Sequence, residues 1–184
     1  MHFRKLCTAS LLAIFAAAAS LPAHANPMVG GAPMYATKNI VENAIHSKDH
    51  TTLVAAVKAA GLVDTLEGPG PFTVFAPTNA AFAALPAGTV DMLLKPENKA
   101  KLQKVLTAHV VPGKLSGSEL VKMAKAHGGM YKMRTASGDT LVAEVKGKNL
   151  YIVDESGVAA KVVIADVNQS NGVIHVVNKV LVPK

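Results

Sequence analysis

Four histidines, one serine and a run of lysines are the residues whose types and spacing could do chemistry in this sequence. His46 and His50 stand four apart, a spacing that would set both on one helical face and suits a metal. No glutamate follows the first and no third ligand lies nearby. The pair also straddles an expected helix junction at Asp49, so the tetrahedral shell stays unfilled and no metal is expected. Gly113-Lys-Leu-Ser-Gly117 puts Ser116 near glycines without the Gly-x-Ser-x-Gly spacing of a nucleophile elbow. Ser116 or Ser118 therefore reads as a helix cap. His109 and His175 sit inside apolar runs, where a lone histidine is usually a core residue whose ring nitrogens meet backbone or Asn partners. Neither has a carboxylate in sequence to form a relay. Gly68-Pro-Gly70 is stiffened by proline and precedes a strand, unlike a phosphate-cradling loop. The expectation is a non-enzyme, with no catalytic residue, metal or cofactor.

The lysines are a different matter. From Lys95 to Arg134, nine Lys or Arg stand against Glu97 and Glu119. Such a face attracts anionic polysaccharide, lipid headgroups or nucleic acid, and a solvated helix surface is the plainer alternative. Tryptophan is absent from the chain, which leaves little for base stacking, so no nucleic acid partner is expected. Lys99, Lys101 and Lys104 are the candidate contact residues.

The N-terminus sets the compartment. Arg4 and Lys5 precede an apolar stretch from Leu11 to Ala19, and Ala23-His-Ala25 follows as a small-x-small site. That is the pattern of a cleaved secretory signal peptide over residues 1–25, too short in its apolar core to span a bilayer. The one cysteine, Cys7, lies inside it. The mature chain would be exported, soluble, and either secreted or periplasmic. An oxidising compartment permits disulfides without requiring them when one domain can bury a sufficient core.

Elements must then position these residues. Residues 26–37, with Pro27, Gly30, Gly31 and Pro33, read as a flexible leader, and 38–184 as one domain. Helices are expected from Ile40 after an Asn39 or Thr37 cap, and after Asp49 up to Gly61. Further short helices are expected over 80–85, from Thr89 to before Pro96, from Pro96 onwards, and from Ser118 to Ala126. From Met130 the pattern changes to strands: 130–135, 140–146, 149–153, 161–165 and 173–182, with Gly-bearing turns between them. Helices first and strands afterwards argue α+β.

Two boxes carry a family resemblance, with a third between them. Phe72 to Phe82 (FTVFAPTNAAF) is a strand buried on both faces that runs into a turn capped by Thr78 or Asn79. Asn171 to Leu181 (NGVIHVVNKVL) is an Asn-Gly turn and a β-branched strand. Leu106 to Leu115 (LTAHVVPGKL) lies between. In this order and spacing they resemble the fasciclin domain family of extracellular adhesion modules, over roughly Asn39 to Pro183. The resemblance implies one module of short helices packed on a twisted β-sandwich or wedge. It gives His109 and His175 structural work near Asn79. It also implies receptor contact near the second box, where Asp166, Asn171 and Gly172 keep register, although Asn168 replaces an apolar epitope position. Asp166 could equally accept turn donors. The implied function is adhesion to extracellular matrix, anionic polysaccharide or a surface protein. Some fasciclin-like proteins instead carry an apolar small molecule, a pigment or lipid, between helices and sheet. Met123, Met130, Tyr131 and Met133 form the adaptable apolar group that such a role could use.

Overall fold

The computed structural model describes residues 26–183, so the expected signal peptide lies outside the described residues. Two short strands come first, β1 (Met28–Val29) and β2 (Ala32–Pro33), paired as a hairpin. Helices α1 (Ile40–Ala44), α2 (Thr51–Ala60) and α3 (Val63–Glu67) follow, then strand β3 (Phe72–Pro77). Next come α4 (Asn79–Ala83), α5 (Thr89–Leu93), α6 (Lys99–Ala108), β4 (Val110–Pro112) and α7 (Gly117–Ala126). The chain ends in strands β5 (Met130–Arg134), β6 (Thr140–Lys146), β7 (Asn149–Val153), β8 (Ala159–Gln169) and β9 (Gly172–Val177).

Seven strands make one mixed sheet in the order β4-β3-β9-β8-β7-β6-β5. Only β3 and β9 run parallel; every other neighbouring pair in that sheet is antiparallel. The sheet curls until its edges meet, and the Ala136 amide after β5 donates to the Val110 carbonyl of β4 at 2.7 Å. Register shifts in β8, between Val162 and Val167, supply part of the bend, and Asp166 takes a φ of 60° there. The α+β expectation holds.

Alternation along the central strands divides the core in two. Val74 and Ala76 of β3, with Ile174 and Val176 of β9, face α1, α2 and α6. Phe75 and Val177 point the other way, into the curled sheet, with Leu120, Leu141, Ile152 and Leu181. Both faces of β3 and β9 are thus covered, which is why neither strand shows polar alternation in sequence.

Helix boundaries follow local chemistry. Asn39 caps α1 and Ser116 caps α7, each in a capping box with Glu42 or Glu119. Gly61 ends α2 in the left-handed conformation. Thr78 caps α4 by accepting from the Ala81 amide.

Three expectations need correction. Residues 26–37 are not a loose leader: the hairpin is docked, with Val29 and Met34 buried in the helix-side core. Lys48 donates to the Gly30 carbonyl at 3.1 Å, which anchors its turn. The last strand stops at Val177, and residues 178–182 leave the sheet while Leu181 fills the curled interior. Helix α3 was not anticipated, because five residues ending at Glu67-Gly68 give too short a period to read.

Candidate functional site

The histidines and asparagines of the two boxes are buried fasteners. His109, at the end of α6, places Nδ1 2.8 Å from the Val105 carbonyl, and its Nε2 accepts from the Leu181 amide at 2.9 Å. One ring therefore clips the C-terminal segment to α6, as the neutral Nδ1–H tautomer. Burial pushes its pKa down to about 4. His175 uses the opposite tautomer: Nε2 bonds the Leu115 carbonyl at 2.9 Å and Nδ1 accepts from the Asp166 amide at 3.2 Å. Its ring stacks on Phe75 with centroids 5.7 Å apart. Its pKa too is lowered, chiefly by burial. Both nitrogens of each ring are engaged by backbone, which suits the structural role.

Asn79 bonds to neither ring among the described residues. Its Oδ1 accepts from the Thr52 amide at 3.0 Å, and its Nδ2 donates to the Lys48 carbonyl and to Thr51 Oγ1. It fastens α4 to the start of α2. Thr78 is its capping neighbour, as expected.

The residues chosen for partner contact near the second box separate. Asn171 is buried; its Oδ1 accepts from the Ile40 amide at 3.1 Å, and its Nδ2 donates to Leu66 O at 2.7 Å and Gly68 O at 3.0 Å. Gly172 is buried against β3, and a Cβ there would fall on the Phe72 carbonyl. Both are turned inward and join β9 to α1, α3 and β3. Asp166 alone of the three is exposed. Its Oδ1 accepts from the Gly117 amide at 2.7 Å, so it also holds the first turn of α7 to the β8 bulge. It borders a shallow surface bowl with Ser118, Val121, Lys148 and Val163.

The lysines behave as a face. Leu102, Val105 and Leu106 hold α6 to the core, while Lys95 before it and Lys99, Lys101 and Lys104 on it are exposed. Lys104 reaches Asp139 at 3.8 Å across the seam between β4 and β5. The Lys99 ammonium lies over Gly61, at the end of α2.

A cavity opens beneath that face. Between α1, α2, α3 and α6 on one side and β3 and β4 on the other lies an apolar space of about 90 Å³, measured over the positions a water-sized sphere can take. Val54, Val57, Leu62, Phe72, Val74 and Leu106 are among its walls, and among the described residues Lys58 is the only Lys, Arg, Asp or Glu in its lining. The methionine group singled out from sequence is elsewhere. Met133 is inside the curled sheet with Tyr131 packed against it, and Met130 is 54% exposed. Sequence reading missed the cavity because its walls come from six elements, and no local pattern announces a gap among them.

His50 differs from its expected partner too. His46 is exposed, whereas His50 is buried at the 3-10 turn before α2, with Nδ1 2.8 Å from Ser47 Oγ. Its Nε2 has no hydrogen-bond partner among the described residues. Burial lowers its pKa, against weaker opposing effects of the Ala76 carbonyl and Asp49. Ser116 is a cap, with Oγ 2.8 Å from Glu119 Oε2. Among the described residues no three His, Cys, Asp or Glu gather as a metal would need. No helix there is long and apolar enough to cross a membrane.

Comparison with known proteins matches the model of the fasciclin domain to residues 48–183. The chain belongs to the fasciclin domain family. Protein sll1483 of Synechocystis sp. is 50% identical over 144 residues, covering 78% of this chain and 73% of that one. Immunogenic protein MPB70 of Mycobacterium bovis is 33% identical over 94% of this chain and 91% of its own. The fold also matches a FAS1 domain pair from the insect cell adhesion molecule Fasciclin I, with a TM-score of 0.70 and 17% identity. That match covers 78% of this chain and 50% of the pair, so this fasciclin domain corresponds to one half of it. Transforming growth factor-beta-induced protein ig-h3 of Sus scrofa is 41% identical over 71% of this chain, which spans only 17% of that protein.

Proposed function

We propose that this fasciclin domain is an exported, non-enzymatic adhesion module that binds extracellular matrix, anionic polysaccharide or a surface protein through the lysine side of α6. The observation that carries the reading is the outward set Lys95, Lys99, Lys101 and Lys104 on a helix whose other side is fixed to the core. Likeness to an insect cell adhesion molecule supports the class of function. Asp166 is an additional contact candidate: the residue is exposed, its Oδ1 is held by the Gly117 amide, and its own amide donates to His175 Nδ1. Export rests on the signal-peptide pattern before Asn26. The test is binding of the chain from Asn26 to cells and to defined anionic polysaccharides over a salt series. The variant is Lys99→Glu/Lys101→Glu/Lys104→Glu. Exposed ion pairs contribute ~0.2–1 kcal/mol each, so the triple reversal should weaken binding about tenfold or more. Binding indifferent to salt and to these lysines would overturn the reading.

A second reading, the carrier of an apolar small molecule, is favoured by the cavity between helices and sheet. It places the ligand under α2 and α6 rather than among the methionines. Its first check is mass spectrometry of an organic extract of the protein purified from its own host. A co-eluting apolar compound is expected, and a clean extract counts against carriage.

A further inference from the structure

We infer that the cavity takes a small anionic amphiphile, its apolar end inside and its anionic head on Lys58 at the rim. This rests on the carrier reading and names the chemistry of its ligand. Three observations carry it. The interior is apolar apart from Thr65, Thr107 and the fully engaged His109, so nothing inside rewards a polar group. Among the described residues, Lys58 is the only Lys, Arg, Asp or Glu of the lining, exposed in the last turn of α2. The Lys99 ammonium lies over Gly61, three residues on, which brings a second positive charge to the same end of α2. Among the described residues no acidic side chain lines the space and neither lysine is in an ion pair.

Size narrows the ligand further. The space of about 90 Å³ is smaller than the roughly 150 Å³ of an engineered cavity that admits benzene. It therefore seats the end of an alkyl chain rather than a polycyclic pigment. A neutral ligand would gain from burial alone. An anion gains in addition from the lysines, whose attraction strengthens where the tail has displaced water and weakens with salt.

The experiment titrates the folded chain from Asn26 with octanoate, octyl phosphate, octanol and octyltrimethylammonium. Amide shifts of the cavity-lining residues are followed by NMR. One anion should bind about tenfold more tightly than the alcohol, the cation should bind least, and the anion's advantage should vanish in Lys58→Glu. The ranking of octanoate and octyl phosphate names the head group. Affinity should rise about fourfold per added methylene until the space is filled, and then level off. Equal binding of acid and alcohol, unchanged in Lys58→Glu, overturns the charge inference while the carrier reading stands. If no octyl compound shifts the lining amides, or if Val54→Trp binds as the parent does, the cavity is not the site and both fall. Lys58 is exposed, so its reversal leaves the fold intact, which a melting curve checks.

Discussion

Replacing Asn171 by alanine separates a fastener from a contact residue. The side chain bonds three backbone groups on two stretches of chain: the Ile40 amide that opens α1, and the Leu66 and Gly68 carbonyls around the end of α3. The Ile40 and Leu66 bonds are buried, and β9 starts at the next residue. Alanine leaves one buried donor and one buried acceptor without partners, at ~1–3 kcal/mol each. A loss of about 4 kcal/mol follows, read as a fall in urea midpoint with little change in m. In a domain of this size that lowers Tm by about 8–16 °C. Asn171→Asp is the sharper control. It keeps an acceptor for Ile40 but turns a second oxygen towards two carbonyls, so it should be worse than alanine at pH 7. It should recover in acid as the carboxyl protonates and can donate. Binding by the folded fraction should be unchanged in both. A loss below about 1 kcal/mol for Asn171→Ala, or a partner affinity that falls without loss of stability, would refute the reasoning.

Three further outcomes are expected. Stability should fall as pH drops from about 6.5 towards 4, because the unfolded chain binds a proton at His109 that the native state, with its pKa pushed to about 4, refuses. The contribution of His109 is about 3 kcal/mol, full above pH 6.5; His50 and His175 shift the same way, and flat urea midpoints over that window would contradict it. Ser116→Ala should cost about 1 kcal/mol, seen in thermal melts, by removing the cap that accepts from the Glu119 amide. Gly172→Ala should cost more than any surface change, because its Cβ would collide with the Phe72 carbonyl and part β3 from β9; near-native Tm would show that the two backbones can give way.

Much of the frame was legible because its signals are local. Hairpin strands β5, β6 and β7 alternate and are separated by Gly-bearing turns, and β6 and β7 lie where alternation puts them. Capped helices were equally readable at Gly61 and Ser116. What escaped depends on tertiary placement. Strand β8 extends to Gln169, past the expected end at Ala165, because bulges let it keep pairing through a bend. Strand β4 is three residues long and exists only because β3 lies beside it. The hairpin at 28–33 is rich in Gly and Pro, which reads as loose chain, yet Val29 and Met34 find a core to enter. At the candidate site, the apolar neighbours of His109 and His175 point both rings inward, and both are buried. The burial of Asn171 and Gly172 is not legible in sequence, since a turn signal does not say which way its side chain faces. Lys58 passed unnoticed in α2, because only the fold sets it at the mouth of a cavity.

The parallel pairing of β3 with β9 joins Phe72 to Gly172, a hundred positions later, as the second and third strands of the sheet. Closing so long a loop costs entropy before any contact repays it, so the middle of this molecule is among the last parts able to assemble. While a ribosome is still making the chain, β3 has only β4 to pair with, and the helices have half a floor to rest on. The chain is correspondingly exposed to proteases and to its own hydrophobic strands until β9 arrives. Residues 172–177 are the keystone of the sheet: without β9, β3 and β8 have no common neighbour.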